Sequence, residues 1–173
     1  MQNSKYIQHS KMTKHTAKLF DWKRFLLALI LCEGAGVVGS LFTFQSIPTW
    51  YVYLNKPSFS PPNWLFGPVW TILYFLMACS LYLIWKSKPS LQKGFAEKLF
   101  YVQLLLNAAW SIIFFGLQNP LIAFIEIIIL WVLILMCIIA TNRLHKRAGF
   151  LLVPYLLWVS FASLLNLAIV VLN

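Results

Sequence analysis

Long apolar stretches alternate with short polar ones along this chain. The apolar stretches run 25–45, 64–85, 99–118, 121–141 and 150–171. Each is long enough for a helix to cross a bilayer core about 30 Å thick. Glu33 is the one charge in the first stretch and Glu126 the one in the fourth; the other three carry none. Each stretch is apolar around the full turn of a helix, as lipid-facing bundle helices are. Runs such as Ile127-Ile128-Ile129-Leu130 break the alternation that a membrane β-barrel requires. The pattern predicts an all-α membrane protein, a bundle of five transmembrane helices over 25–173, preceded by a basic tail over 1–24. Asn119–Pro120 leaves room only for a tight antiparallel turn between the third and fourth helices.

Composition agrees. The 173 residues are 61% hydrophobic and 10% charged, with a mean hydropathy of +0.77. Soluble domains carry about 25% charged residues, and a disordered chain needs low hydrophobicity, so both classes are excluded. The net charge of +10 would suggest nucleic acid in a soluble protein. Here it maps to one side of the membrane. Five spans place 1–24, 86–98 and 142–149 together, and these segments hold every Lys and Arg except Lys56. The positive-inside rule then sets the N-terminus in the cytoplasm and the C-terminus outside. No nucleic-acid partner is needed. A bacterial cytoplasmic membrane is the expected location, with the mitochondrial outer membrane as the alternative. The tail has no apolar core of its own and only Arg24 among arginines, so neither a cleaved signal nor an Arg-rich transit peptide is expected.

Cys32, Cys79 and Cys137 lie in apolar runs without a CxxC spacing and read as small buried hydrophobes. His9, His15 and His145 sit in the tail or the fourth connection. Hydrolytic chemistry, a metal site and a resident cofactor are therefore not expected.

The connection 46–63 is the least generic segment. Pro48, Pro57, Pro61 and Pro62 stiffen it, and Trp50, Tyr51, Tyr53 and Trp64 suit the headgroup level. It reads either as a rigid connector within an aromatic belt or as a lid over a pocket. Helical rise places Glu126 and Asn166 about 8 Å below the outer face, Trp70 about 9 Å, Trp110 about 12 Å, Asn107 about 16 Å and Trp158 about 20 Å. The outer half of the bundle thus gathers tryptophans, asparagines and a carboxyl group from four helices. Asn107 and Asn166 either tie helices together or meet a ligand. Glu126 needs a donor, such as Asn166, or a polar group on a ligand. Ala35-xxx-Gly39 and Gly36-xxx-Ser40 allow another helix to come close, from the same chain or a second copy. Pro68 and Pro154 are expected inside helices, where they free carbonyls and bend the axis.

These residues resemble a known family. Trp50-Tyr51-x-x-Leu54-x-Lys56-Pro57-Ser58-x-x-Pro61-Pro62-x-Trp64, followed by Gly67-Pro68-Val69-Trp70-Thr71-x-Leu73-Tyr74, is similar to the translocator protein/TspO family, also called peripheral-type benzodiazepine receptors. So are Gln103-Leu104-x-Leu106-Asn107-x-x-Trp110-Ser111 and Phe114-Phe115-Gly116 in the third helix. The fifth helix adds Pro154-Tyr155-Leu156-x-Trp158 with Phe161-Ala162-x-x-Leu165-Asn166. The resemblance covers about 40–171, least in the fourth helix.

It implies a five-helix bundle, often a homodimer, with one pocket opening toward the first loop. The implied ligands are tetrapyrroles such as protoporphyrin IX and haem precursors, held in transport, sensing or a stress response, with isoquinoline carboxamide or benzodiazepine drugs as further ligands. By position, the pocket would take Ser40 and Thr43 from the first helix and Trp50 from the loop. Phe66, Gly67, Val69, Trp70 and Tyr74 would come from the second helix, Asn107 and Trp110 from the third, and Glu126 from the fourth. Trp158, Ala162, Leu165 and Asn166 would complete it. The resemblance also implies an alternative, a light- and oxygen-dependent porphyrin-degrading enzyme using Trp70 and Trp158 as catalytic residues. A structural membrane protein without a ligand is the third reading. Two departures stand out. Ile122 replaces an aromatic residue near the start of the fourth helix, and 165–173 lacks the Tyr and the Lys or Arg of the cholesterol-recognition pattern. The second departure argues against a sterol role.

Overall fold

The structure, a computed structural model, describes residues 20–173; residues 1–19 of the expected basic tail lie outside the described residues. Helix α1 spans Trp22–Ser46 and α2 spans Asn63–Lys86. Helix α3 spans Leu91–Ser111 and continues as a π-helical turn, Ile112–Gly116. Pro120–Leu144 forms α4, Lys146–Leu151 forms α5 and Val153–Leu172 forms α6. Together α5 and α6 make one span, so five helical segments are long and apolar enough to cross a membrane. The expected all-α bundle of five spans is what the chain forms.

Two boundaries differ from the sequence reading. The third helix begins at Leu91, well before the apolar run at 99, because Ser90 caps it by accepting from the Lys93 backbone N–H at 3.1 Å. Lys93, Glu97 and Lys98 interrupt the apolar pattern but not the helix. Lys93 Nζ donates to the Trp85 and Ser87 carbonyls at 2.9 and 3.3 Å. It thereby satisfies acceptors where α2 ends. The last span is broken at Leu152, so Pro154 lies in the first turn of α6 rather than inside a helix. Its missing N–H costs little there. Pro68 does lie within α2.

Helices in lipid gain little from hydrophobic exclusion, so close packing and interhelical hydrogen bonds hold them together. Met77, Leu81 and Ile84 of α2 meet Phe100 of α3, Ile134 of α4 and Tyr155 of α6 in the buried centre. Ser80 Oγ donates to the Ala148 carbonyl of α5 at 2.9 Å. Trp131 Nε1 donates to Ser160 Oγ at 2.7 Å, joining α4 to α6. Helix α1 lies at the side, with Leu27, Ile30, Val38 and Leu41 facing outward. Its small residues serve this same chain: Gly36 lies against the Tyr74 ring of α2 and Gly39 against Ser111 of α3.

At one end of the bundle the chain segment 47–62 crosses from α1 to α2, with a short 3-10 turn at Tyr51–Tyr53. It is fastened to the end of α6. The Asn55 backbone N–H donates to Asn173 Oδ1 at 2.9 Å, and Asn173 Nδ2 donates back to the Asn55 carbonyl at 3.1 Å. The turn from α3 to α4 lies at this end too. Gln118 adopts φ 52° there, and Asn119 caps α4 by accepting from the Ile122 N–H at 3.0 Å.

Candidate ligand-binding site

A cavity of about 440 Å³ lies between α1, α2, the end of α3 and α6, beneath the 47–62 segment. Pockets for drug-sized molecules are typically about 300–1,000 Å³ and mostly apolar. Ser40 and Thr43 of α1 line it, as do Phe66, Gly67, Trp70 and Tyr74 of α2. Trp110 comes from α3, and Trp158, Ala162, Leu165 and Asn166 come from α6. These residues were singled out in the sequence, and the bundle brings them to one wall.

Each of these tryptophans packs against neighbouring aromatic rings. Trp70 stacks on Tyr74 with centroids 5.4 Å apart and meets Tyr155 edge-on at 6.2 Å. Trp158 meets Phe66 at 5.9 Å and Phe161 at 5.5 Å. Trp110 stacks on Phe114 at 5.0 Å, and its Nε1 donates to Asn166 Oδ1 at 3.2 Å. Asn166 Nδ2 in turn donates to the Pro120 carbonyl at 2.8 Å. Trp158 Nε1 is buried without a protein acceptor. The wall therefore combines broad aromatic faces with a few polar atoms, which suits a flat, mostly apolar molecule.

Trp50, Val69, Asn107 and Glu126 lie off this wall. The Trp50 ring sits behind it, edge-on to Phe114 at 5.6 Å. Val69 packs on the central core. Asn107 is buried one layer back, where it accepts from the Tyr74 hydroxyl and donates to Tyr155 Oη at 2.9 Å. Glu126 faces the protein interior at 8% exposure, with neither carboxyl oxygen bonded to protein. Asn166, the donor weighed for it, is engaged with Trp110 and Pro120.

Other wall residues were not among those expected to line the pocket. On α1 they are Glu33, Gly36, Val37 and Phe44, followed by Ile47 just past its end. Their spacing from Ser40 and Thr43 follows one helical stripe, so extending that stripe in both directions would have found them. Phe114 and Phe115 reach the cavity from the π-helical turn. In that turn the Ser46 hydroxyl donates to the Phe115 carbonyl. Tyr51 closes the loop end, with Lys56 Nζ 4.5 Å from its ring centroid. Burial pushes the Tyr51 phenol above its ordinary range, with Ser60 acting the other way, so it presents a neutral ring at physiological pH. Val37 and Phe44 of α1 and Trp64, Gly67 and Thr71 of α2 are exposed as well as lining. The cavity thus opens sideways between α1 and α2.

Fold and site together define a five-helix integral membrane protein with an aromatic-walled cavity near one end. The TspO/MBR family model matches residues 28–172. The chain is 48% identical over 154 residues to the tryptophan-rich protein TspO of Archaeoglobus fulgidus, covering 86% of this chain and 96% of that protein. It is 34% identical to the tryptophan-rich sensory protein of Cereibacter sphaeroides over 88% of this chain and 93% of that one. The human translocator protein is 38% identical over 75% of this chain and 78% of its own length. The chain belongs to the TspO/MBR family.

Proposed function

We propose that this protein binds a tetrapyrrole of the protoporphyrin IX type in the cavity between α1, α2, α3 and α6. The supporting observation is that Trp70, Trp110 and Trp158 share one cavity of about 440 Å³ with few polar atoms. Indole faces supply broad contact for a flat macrocycle, and ring pairs contribute about 0.5–1.5 kcal/mol beyond area burial. The ligand is held for transport, sensing or a stress response. The same cavity suits aromatic drugs, and a second copy of the chain joins a homodimer.

Titrating the protein with protoporphyrin IX in the dark should quench tryptophan fluorescence saturably. Trp110→Ala should weaken binding about tenfold or more, because it removes both a stacking face and the anchor of Asn166. Unaltered affinity in a folded variant would count against this cavity as the site. Since Trp70 and Trp158 both line it, a second reading has support: photo-oxidative loss of the bound porphyrin. On illumination in oxygen, Trp70→Phe and Trp158→Phe should each slow bleaching more than they weaken binding. Bleaching at the parent rate at saturation would leave a carrier or sensor.

The basic segments support a cytoplasmic N-terminus and a cavity near the outer face. Labelling of single cysteines at exposed Lys88 and Ser58 tests this, in a background with Cys32, Cys79 and Cys137 replaced. An impermeant reagent applied outside should reach position 58 and not 88; the opposite pattern would invert the assignment.

A further inference from the structure

The cavity wall carries one formal charge. Glu33 stands at the end farthest from the 47–62 segment, near Gly36 and Tyr74, and no Lys, Arg or His lines the wall among the described residues. The ion pairs among the described residues, Arg24–Asp21 and Lys93–Glu97, lie elsewhere. Ile47 at the loop end lies fourteen positions beyond Glu33, which is about 21 Å along the helix axis. The carboxyl group therefore sits near mid-membrane, where an acid needs a donor or a cation as partner. At the other end, Lys56 stands over the ring of Tyr51, which lines the cavity. The wall thus carries its one formal charge at the deep end, and Lys56 stands near the loop end but off the wall. A carboxylate pushed toward Glu33 either meets a like charge in a setting of low dielectric or must share a proton with it while losing its own solvation, and both disfavour that binding mode.

We propose that Glu33 determines which groups the cavity accepts at its deep end: it receives cationic or N–H-donating groups and turns away acids. An acidic tetrapyrrole is then bound with its acid chains toward the 47–62 segment. The inference rests on the tetrapyrrole reading above and adds the direction in which the ligand lies.

Two probes test it by dark quenching titrations in zwitterionic nanodiscs: protoporphyrin IX, and its bis-amide with a diamine, in which each acid chain ends in an ammonium group. The ratio of their affinities is the readout, so that general effects on folding or partitioning cancel. Glu33→Gln should shift this ratio toward the diacid by about tenfold. Glu33→Asp, which keeps the charge, should hold the wild-type ratio. So should Glu126→Gln, whose carboxyl group lies off the wall. An unchanged ratio in Glu33→Gln, with both porphyrins still binding, overturns the assignment of Glu33 while leaving the tetrapyrrole reading intact. Failure of protoporphyrin IX to bind the unaltered protein overturns both, and failure of the diammonium porphyrin alone overturns only the assignment of Glu33.

Discussion

Replacing Asn107 by Ala is expected to lower the stability of the bundle by about 2–3 kcal/mol. This side chain links α2, α3 and α6, accepting from the Tyr74 hydroxyl and donating to that of Tyr155. All three residues are buried. Interhelical hydrogen bonds in membranes average about 0.6 kcal/mol and reach about 1.7, so two lost bonds alone give roughly 1–3 kcal/mol. The void left by the amide adds to this. The effect extends to the cavity, because Tyr74 and its stacked neighbour Trp70 are wall residues that Asn107 holds from behind. Denaturant titration in mixed micelles, beside Ser40→Ala as a reference, measures it. Ser40 Oγ bonds only to the Val37 carbonyl of its own helix, so its loss should stay within about 0.5 kcal/mol. Equal midpoints for the two variants would refute the linking role.

A second large effect should appear at Gly36, with the opposite sign two residues away. A methyl group at Gly36 would overlap the Tyr74 ring. That ring cannot swing aside without breaking its bond to Asn107, so α1 must move away from α2. Overpacking of this kind costs about 1–3 kcal/mol. At Gly34 an added methyl meets nothing within 4 Å, and Ala is favoured over Gly within a helix by about 0.5–1 kcal/mol. Gly36→Ala should therefore lower the thermal midpoint and Gly34→Ala should raise it. A rise of similar size in both would mean that helix propensity, rather than the contact between α1 and α2, governs this segment.

The five spans were legible because apolarity is the property that a bilayer selects. The start of α3 was not, because its first turns carry Lys93, Glu97 and Lys98, whose long stems let a helix run on into the headgroup layer. Helical rise converts sequence position into height, and Trp70, Trp110 and Trp158, read in this way, line one cavity. Rotation about the helix axis was not legible. Glu126 shares its height with Asn166 and so looked like a partner to the cavity, yet α4 turns it into the protein interior instead. Glu33 was read only as the one charge of the first stretch, but the stripe it shares with Ser40 and Thr43 puts it on the wall. Trp50 carried one of the family-like motifs. Its ring supports Phe114 from behind, a relation that depends on the π-helical turn after Ser111, and no periodic pattern announces such a turn.

The sideways mouth changes what concentration means for this protein. Val37, Phe44, Trp64, Gly67 and Thr71 border it on surfaces that face acyl chains. A molecule arriving there comes out of solution in the lipid, at the density it has reached by partitioning. An apparent dissociation constant expressed per litre of water would then rise as lipid is added at fixed protein, even though no contact in the cavity has altered. Expressed as mole fraction in the bilayer, it would hold constant. Two membranes with different affinities for the same molecule would likewise set different occupancies with one unaltered cavity.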